Sequence, residues 1–178
     1  MKQPPLTVFT IGHSTRPVKD FIALLRAHGV RRVIDVRTVP RSRHNPQFDR
    51  TTLARSLHNA RIHYTHLGAL GGLRHARKDS LNVGWHNASF RGFADYMQTP
   101  EFKVGLQRLM EFAAEEPCVI MCAEAVPWRC HRSLIADALT VRKIEARHIT
   151  SRTRAEPHHL TPFAHVEGAR ITYPASPD

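Results

Sequence analysis

The sequence PCVIMC at positions 117–122 is the most apolar strand-like segment of this 178-residue chain. The longest unbroken apolar run of the chain is residues 118–123, which is far too short to cross a membrane. Short apolar runs of this kind, followed by a loop, are typical of strands buried on both faces of a parallel sheet. The segment therefore predicts an α/β fold built around an internal strand.

Further strands are predicted on both sides of this segment, and helical patterns separate them. Thr99 and Pro100 are a strong signal for the start of one helix. Asp49 and Ser89 are predicted to cap two others. The other predicted strands of the main sheet are Thr7–Gly12, Arg32–Val36, Ile62–Leu67 and Ala146–Ile149.

This alternation of strands and helices predicts a single domain covering residues 1–178. We expect a mostly parallel sheet with helices on both faces, in a Rossmann-like three-layer arrangement. Phe163–Val166 and Arg170–Tyr173 flank a Glu-Gly pair and predict a C-terminal β-hairpin. Residues 68–87 contain four glycines and no periodicity, so we expect a long loop there.

Composition excludes several classes of protein. Hydrophobic residues make up 42% of the chain and charged residues 23%, which is ordinary for a globular protein and too apolar for a disordered one. Three cysteines are too few, and of the wrong parity, for a secreted disulfide scaffold. The N-terminus lacks the apolar core of a signal peptide. We therefore expect a cytoplasmic protein with reduced thiols and no membrane association.

Basic charge is concentrated in one part of the chain. The formal net charge is +11, and residues 31–91 hold 12 of the 26 Lys and Arg residues but only 3 of the 15 Asp and Glu residues. A clustered basic region attracts phosphates and other anions, and arginine binds them through two parallel hydrogen bonds. The expected partner is an anionic small molecule or a nucleic acid, and a solvated arginine-rich surface without a ligand is equally compatible with the charge.

Polar side chains follow the ends of the predicted strands. His13 and Ser14 come directly after the first strand, and Arg37 follows the second. Glu124 comes two residues after Cys122, where the apolar strand ends. In parallel sheets the ligand site lies beyond the carboxyl ends of the strands, at a switch point in strand order. We therefore expect these side chains to converge at one edge of the sheet.

Several of these side chains also have a purely structural interpretation. Asp35 lies inside a predicted strand, and Arg37 can provide the partner that a buried carboxylate needs. Ser14 can cap a helix instead of contacting a ligand. The sequence leaves both roles open.

The densest group of reactive side chains lies just beyond the apolar strand. Cys130, His131 and Arg132 follow Cys122 across a short loop, near the predicted start of a helix. Free N–H groups and the positive end of the helix dipole lower a thiol pKa at such a position, and neighbouring cations add to this effect. Cys130 or Cys122 is therefore a candidate nucleophile, with His131 or Glu124 as the acid or base. The alternative is that these residues only cap and pack the helix.

The cysteine segment does not match a known metal motif. Cys122, Cys130 and His131 lack the paired spacing of zinc ligands, so no metal ligand is assigned. A module that binds a metal ion or docks a partner through Cys and His is retained as an alternative. The sequence does not identify a cofactor.

Seven short motifs occur in a characteristic order along the chain. They are residues 11–15 (IGHST), 35–37 (DVR), 64–67 (YTHL), 70–74 (LGGLR), 122–124 (CAE), 130–132 (CHR) and 159–162 (HLTP). In this order they resemble the domain-of-unknown-function family 488, over nearly the whole chain. The resemblance implies a small bacterial or archaeal α/β domain with a shared site, and it implies no particular reaction. By this resemblance, the residues of the shared site in this chain are His13, Ser14, Arg37, Cys122, Glu124, Cys130, His131 and Arg132.

Two functions of different classes follow from these features. The first is a thiol-dependent enzyme for a small anionic or phosphorylated substrate, with Cys130, Cys122, His131 and Glu124 as candidate catalytic residues. The predicted anion-binding residues are His13, Ser14, Arg37 and Arg132. The second is a nucleic-acid-binding or nucleic-acid-processing domain that uses the basic 31–91 surface, with Tyr64, Trp85 and Phe90 interleaved among its charges.

Overall fold

The apolar segment folds as an internal strand in the computed structural model, which describes residues 3–177. This strand is Cys118–Cys122, and all five of its residues are buried. Parallel strands pair with it on both sides. Burial on both faces explains why the segment shows no alternation of apolar and polar residues.

Strands and helices alternate through most of the chain. The strands are β1 (Thr7–Gly12), β2 (Arg32–Asp35), β3 (His63–His66), β4 (Cys118–Cys122), β5 (Glu145–Ile149), β6 (Ala155–Pro157), β7 (His165–Glu167) and β8 (Arg170–Thr172). The helices are α1 (Val18–Ala27), α2 (Arg50–Asn59), α3 (Ala88–Tyr96), α4 (Pro100–Glu115) and α5 (Arg132–Thr140). Short 3₁₀ turns occupy Pro46–Phe48, Gly68–Leu70 and Pro127–Arg129.

The main sheet has the strand order β3-β2-β4-β1-β5-β6, and β6 alone runs antiparallel to its neighbour. β7 and β8 form a separate C-terminal hairpin. The predicted mostly parallel α/β fold and its hairpin are therefore confirmed. β6 was not predicted, because it has three residues and two of them are exposed, so it shows neither an apolar run nor alternation.

Helices cover both faces of the sheet. The buried side chains of α1 and α2 pack with Val119 and Met121 of β4. Those of α3, α4 and α5 pack with Ile120 and Cys122, which point to the opposite face of the same strand. The helices that follow β1 and β4 therefore lie on opposite faces of the sheet. These neighbouring strands form the switch point at which α/β folds bind ligands.

Of the three predicted helix caps, one is confirmed, one is wrong, and one is correct in position but lacks the side-chain hydrogen bond. α3 is capped by Asn87, whose side chain accepts a hydrogen bond from the Ser89 N–H, so Ser89 lies inside the helix. Asp49 precedes α2, but its carboxylate accepts from the N–H of Ser42 in the preceding loop instead of from the helix. Thr99 caps α4 as predicted. In the two cases that differ from the prediction, another hydrogen-bonding residue lies nearby in the chain, and spacing alone does not distinguish the alternatives.

None of the helices within residues 3–177 combines the length and the hydropathy needed to cross a bilayer.

The end of β1 and the loop after β4 are in unusually close contact. A Cβ atom added to Gly12 would overlap the carbonyl oxygen of Glu124. Beyond the strand ends, the N–H of His13 donates to the carbonyl oxygen of Cys122 at 2.9 Å. Glycine at position 12 therefore allows the two segments to meet at the switch point.

Replacing this glycine tests how rigid the contact is. Gly12→Ala is expected to lower the free energy of unfolding by about 3 kcal/mol, because the new methyl group overlaps backbone atoms. Gly168→Ala is the matched control, since its Cβ meets nothing within 4 Å and only the positive φ of 62° opposes it. That strain costs about 1 kcal/mol. Urea unfolding followed by circular dichroism measures both, and equal losses would show that the loop after β4 moves aside easily.

Candidate functional site

A cavity of about 340 Å³ opens at the carboxyl edge of the sheet, beside the ends of β2 and β4. Its walls are formed by the loops after these strands, by part of the long loop, and by the residues that lead into α5. Five of the eight residues predicted for the site line it, namely Arg37, Cys122, Glu124, Cys130 and His131.

Two cysteines come together at the wall of this cavity. Cys122 ends β4 and Cys130 lies two residues before α5, and their sulfur atoms are 2.7 Å apart. Both are free thiols, with 3% and 6% of their surface exposed. The backbone N–H of Arg132 points at Cys130 Sγ, 3.4 Å away. This sulfur therefore lies at the positive end of α5.

His131 is fixed in one orientation by its neighbours. Its Nε2 lies 3.0 Å from the carbonyl oxygen of Val36, and Nε2 carries a proton because a carbonyl can only accept. Its Nδ1 lies 3.5 Å from Cys130 Sγ. The ring packs edge-on against Phe93, and a Cβ at Gly72 would come within 2.6 Å of Nδ1. In the neutral ring Nδ1 is thus an acceptor, held where it can take the thiol proton of Cys130.

Arg132 is 1% exposed, and its guanidinium group donates to protein groups. Nε donates to Cys122 Sγ at 2.9 Å, and Nη1 donates to Thr10 Oγ1 at 2.8 Å. Nη2 donates to the carbonyl oxygen of Glu124 at 2.7 Å. A buried guanidinium keeps its charge and needs such partners. Its positive charge therefore lies against the cysteine pair and away from the open cavity.

The two thiols ionise as a coupled pair. Burial opposes ionisation of Cys130, but hydrogen bonds with Cys122 and His131 and the charges of His131 and Arg132 outweigh it. They hold the pKa of Cys130 well below its ordinary value. Burial and the neighbouring Cys130 hold the pKa of Cys122 well above its ordinary value. The first proton lost from the pair therefore leaves a thiolate on Cys130, to which the Cys122 thiol donates.

Arg37 is also engaged mainly with protein groups. Its Nε and Nη2 form a two-bond ion pair with the carboxylate of Asp35, at 2.9 and 2.7 Å. Nη2 also donates to the carbonyl oxygen of Phe48, and Nη1 donates to His13 Nε2 at 3.4 Å. Of the five N–H groups of a guanidinium, one on Nη1 remains available to a ligand in the cavity.

His13 and Ser14 support the loop after β1. His13 Nδ1 donates to the carbonyl oxygen of Ser14 at 2.8 Å, and Nε2 accepts from Arg37, so both ring nitrogens have protein partners. Burial lowers the pKa of His13, and its ring stacks on Phe48. Neither His13 nor Ser14 is among the residues that line the cavity, and their anion-binding role stays a prediction.

Glu124 is exposed at the cavity. Its carboxylate accepts from the N–H of Val126 at 3.2 Å. Within residues 3–177 this carboxylate has no hydrogen bond to Cys122 or Cys130, so its role as an acid or base also stays a prediction.

Two further arginines line the cavity and were not among the predicted site residues. Arg41 and Arg129 are both exposed there. With Glu124 as the opposing exposed charge, they leave the rim of the cavity with an excess of positive charge. Arg129 could have been selected because it adjoins Cys130, whereas Arg41 looks like any other arginine of its loop.

The basic residues of positions 31–91 do not form one surface. Arg31 and Arg61 precede β2 and β3, so they lie at the sheet edge opposite the cavity. Arg32 pairs with Glu116, and Arg74 stacks over the ring of Tyr96.

The aromatic residues of the same region also have protein partners. The hydroxyl of Tyr64 donates to Asp35 at 2.6 Å. Trp85 packs against Phe90 and Phe163. Tyr64 and Trp85 are therefore engaged with other protein groups, whereas Phe90 also lines the cavity, and the nucleic-acid alternative stays a prediction.

A buried chain of hydrogen bonds runs from Arg132 towards the C-terminal segment. Thr10 Oγ1, which accepts from Arg132, donates to His148 Nδ1 at 2.6 Å. His148 Nε2 donates to His158 Nδ1 at 2.9 Å, and His158 Nε2 donates to Asp137 Oδ1 at 2.7 Å. These proton positions are assigned from the partners, starting from Arg132 and Asp137, whose roles as donor and acceptor are fixed. Sequence reasoning missed this chain, because its members come from separate elements and share no motif.

The pH dependence of stability tests this chain. Burial lowers the pKa of His148 from 6.5 to about 4. The unfolded protein therefore binds a proton near pH 6.5 that the folded protein binds only near pH 4, so stability falls as the pH drops through this window. The loss attributable to His148 is roughly 3 kcal/mol.

His148→Gln is expected to remove this contribution. Urea unfolding at pH 7 and pH 4.5 should show wild type losing about 2 kcal/mol more than the variant between the two pH values. The variant is the control for other groups that titrate in the same range, such as His13. Parallel losses in the two proteins would contradict the buried neutral state of His148.

Among residues 3–177, no three His, Cys, Asp or Glu side chains are grouped so that they could hold a metal ion.

Comparison with known proteins gives one match. Residues 17–139 match the family model described as domain of unknown function DUF488. The matched segment runs from just before α1 almost to the end of α5, and it includes every residue that lines the cavity. No curated protein and no solved structure matches the chain. The resemblance inferred from the order of the motifs is confirmed, and the chain belongs to the DUF488 family of domains of unknown function.

Proposed function

We propose that this protein is a thiol-dependent enzyme that uses Cys130 as the nucleophile on a small anionic or phosphorylated substrate. The observation that carries the proposal is the contact of Cys130 Sγ with His131 Nδ1, in a ring whose other nitrogen donates to the carbonyl of Val36. A nucleophile, a base within reach of it, and a group that orients the base are the usual parts of a covalent catalytic site.

The difference between the cysteines supports the choice of nucleophile. Cys130 lies at the cavity wall, with its pKa lowered by its neighbours. Cys118 is buried at the start of β4, where burial and Glu116 raise its pKa to about 12. Because the thiolate is the reactive form of cysteine, Cys118 is expected to be inert and Cys130 reactive.

The lining of the cavity supports an anionic substrate of small size. Arg41, Arg129 and the remaining N–H of Arg37 offer positive charge and donors. The apolar part of the wall consists of Val39, Leu73 and Phe90. A substrate with an anionic group and a small apolar portion suits this combination.

The proposed reaction begins when the Cys130 thiolate forms a bond to an electrophilic atom of the substrate. The bond from that atom to the leaving group breaks, and the leaving group departs with the electron pair and a proton from His131. Water or another acceptor then displaces Cys130, which leaves again as a thiolate. Glu124, at the same cavity, is the candidate base for this second displacement.

Alkylation measures the reactivity of the thiol. At pH 7, iodoacetamide is expected to modify Cys130 about tenfold faster than free cysteine, because its thiolate is present at neutral pH. Mass spectrometry of the digested protein resolves the three cysteines, and unmodified Cys118 is the internal control. A rate at Cys130 no higher than that of free cysteine would rule out the thiolate.

The same assay isolates the role of His131. His131→Gln retains a donor for the Val36 carbonyl, because the Gln amide nitrogen reaches the position of the imidazole Nε2, and it removes the acceptor that Nδ1 provides beside Cys130. The pH midpoint of Cys130 alkylation is expected to rise by about one unit. An unchanged midpoint would show that His131 does not stabilise the thiolate.

A comparison of charged and neutral reagents tests anion binding. Relative to free cysteine, Cys130 should favour iodoacetate over iodoacetamide, and Arg41→Gln with Arg129→Gln should lower that preference about fivefold. Arg31→Gln with Arg61→Gln is the matched control, because it removes two exposed arginines at the opposite sheet edge. Equal effects of the two double variants would mean that net charge, and not the cavity, sets the preference.

A further inference from the structure

In the reaction proposed above, Cys122 acts only as a hydrogen-bond donor to the Cys130 thiolate. A single nucleophile needs no second thiol, yet Cys122 Sγ lies 2.7 Å from Cys130 Sγ. Forming a disulfide requires a sulfur–sulfur distance near 2.05 Å, so the two atoms need to approach by about 0.7 Å. Since Ser14 and Arg132 hold the loop between the cysteines at residues 123 and 124, this approach relies on small side-chain rotations of Cys122 and Cys130.

The surroundings of the two sulfurs are unequal. Cys130 Sγ faces His131 and the N-terminal end of α5. Cys122 Sγ accepts a hydrogen bond from Arg132 Nε at 2.9 Å. The same guanidinium group also donates to Thr10 Oγ1 and to the carbonyl oxygen of Glu124, which fixes its position. Each sulfur therefore has its own group to stabilise a negative charge, which a site with one reactive thiol does not need.

We propose that the site carries out thiol–disulfide exchange with small anionic disulfides, with Cys130 as the attacking thiol and Cys122 as the resolving thiol. The inference rests on the proposed function, because it uses the same Cys130 thiolate and the same positively charged cavity. It adds a substrate class and a role for the buried Cys122–Arg132 contact.

The exchange proceeds in two balanced steps. The Cys130 thiolate attacks one sulfur of the substrate, the substrate disulfide breaks, and the first half leaves as a thiolate. Cys122 then gives up its proton and attacks Cys130 Sγ, and the second half leaves with the electron pair and that proton. The two cysteines are oxidised to one intramolecular disulfide, and the two halves of the substrate are released as one thiolate and one thiol.

The Cys122–Arg132 contact belongs to the second step. Burial and the neighbouring Cys130 together hold the proton on Cys122, and the bond between Cys130 and the substrate removes the negative charge of Cys130 from this pair of causes. The guanidinium of Arg132 then stabilises the emerging thiolate of Cys122 from 2.9 Å. Resolution by Cys122 is therefore expected to be fast compared with the lifetime of a mixed disulfide on an isolated cysteine.

The test uses dithiobis-nitrobenzoate, a dianionic disulfide that releases a coloured thiolate. Native protein is expected to release two thionitrobenzoate ions and to retain no adduct, with Cys122 and Cys130 joined in the digested product. Cys122→Ser should release one ion and keep the other half bound to Cys130. Cys118→Ala is the matched control and should behave as wild type, since Cys118 is buried away from the pair.

The outcomes separate the two proposals. Retention of a stable adduct on Cys130 of wild type would overturn the exchange and leave the proposed nucleophile intact. No reaction at Cys130 in either wild type or Cys122→Ser would overturn both. If Cys122→Ser does not fold, the digest of wild type decides alone, because a peptide containing the Cys122–Cys130 disulfide supports exchange and a peptide carrying the adduct contradicts it.

Discussion

The buried guanidinium of Arg132 is the constraint on which the site depends. It holds a permanent charge where water is excluded, so the surrounding chain has to provide acceptors for it. Thr10 of β1, Cys122 of β4 and the carbonyl of Glu124 are these acceptors. They lie at the switch point of the sheet, where the close contact at Gly12 brings β1 and the loop after β4 together. Arg132 therefore links β1, β4 and the loop after β4 at this edge of the sheet, and its positive charge also acts on the two cysteine thiols.

Four arginines at or near the cavity divide into two groups by burial. Arg37 and Arg132 are buried and form hydrogen bonds with Asp35, Cys122 and backbone carbonyls, so most of their donors are already used. Arg41 and Arg129 are exposed at the cavity. An incoming anion competes with fewer protein partners at the second group than at the first. The number of arginines in the sequence therefore overstates the positive charge available to bind a ligand. A buried guanidinium group forms its hydrogen bonds with neighbouring protein groups, whereas an exposed one can form them with the ligand.

The sequence could predict those parts of the structure that depend on local patterns. β1 was predicted at Thr7–Gly12 with its observed bounds, since a short run rich in β-branched and apolar residues is a local pattern that depends on nothing distant. The pairing of Asp35 with Arg37 was also foreseeable, because a buried carboxylate needs a partner and the arginine is two residues away. The contact of Thr10 with His148 spans 138 positions and was not foreseeable. Spacing along the chain does not indicate which distant side chains meet behind a sheet.

The cysteines show how position in the fold determines chemistry. Cys118 and Cys122 lie four residues apart on one face of β4, and both are buried. Cys118 lies at the amino end of the strand, near Glu116, where a negative neighbour adds to the cost of ionisation. Cys122 lies at the carboxyl end, where the helix start, Arg132 and a second thiol meet. Burial is common to both thiols, so it cannot explain a reactive site by itself. What distinguishes Cys122 is a set of partners that only the carboxyl edge of a parallel sheet brings together, and those partners place the negative charge on Cys130, the sulfur that faces His131.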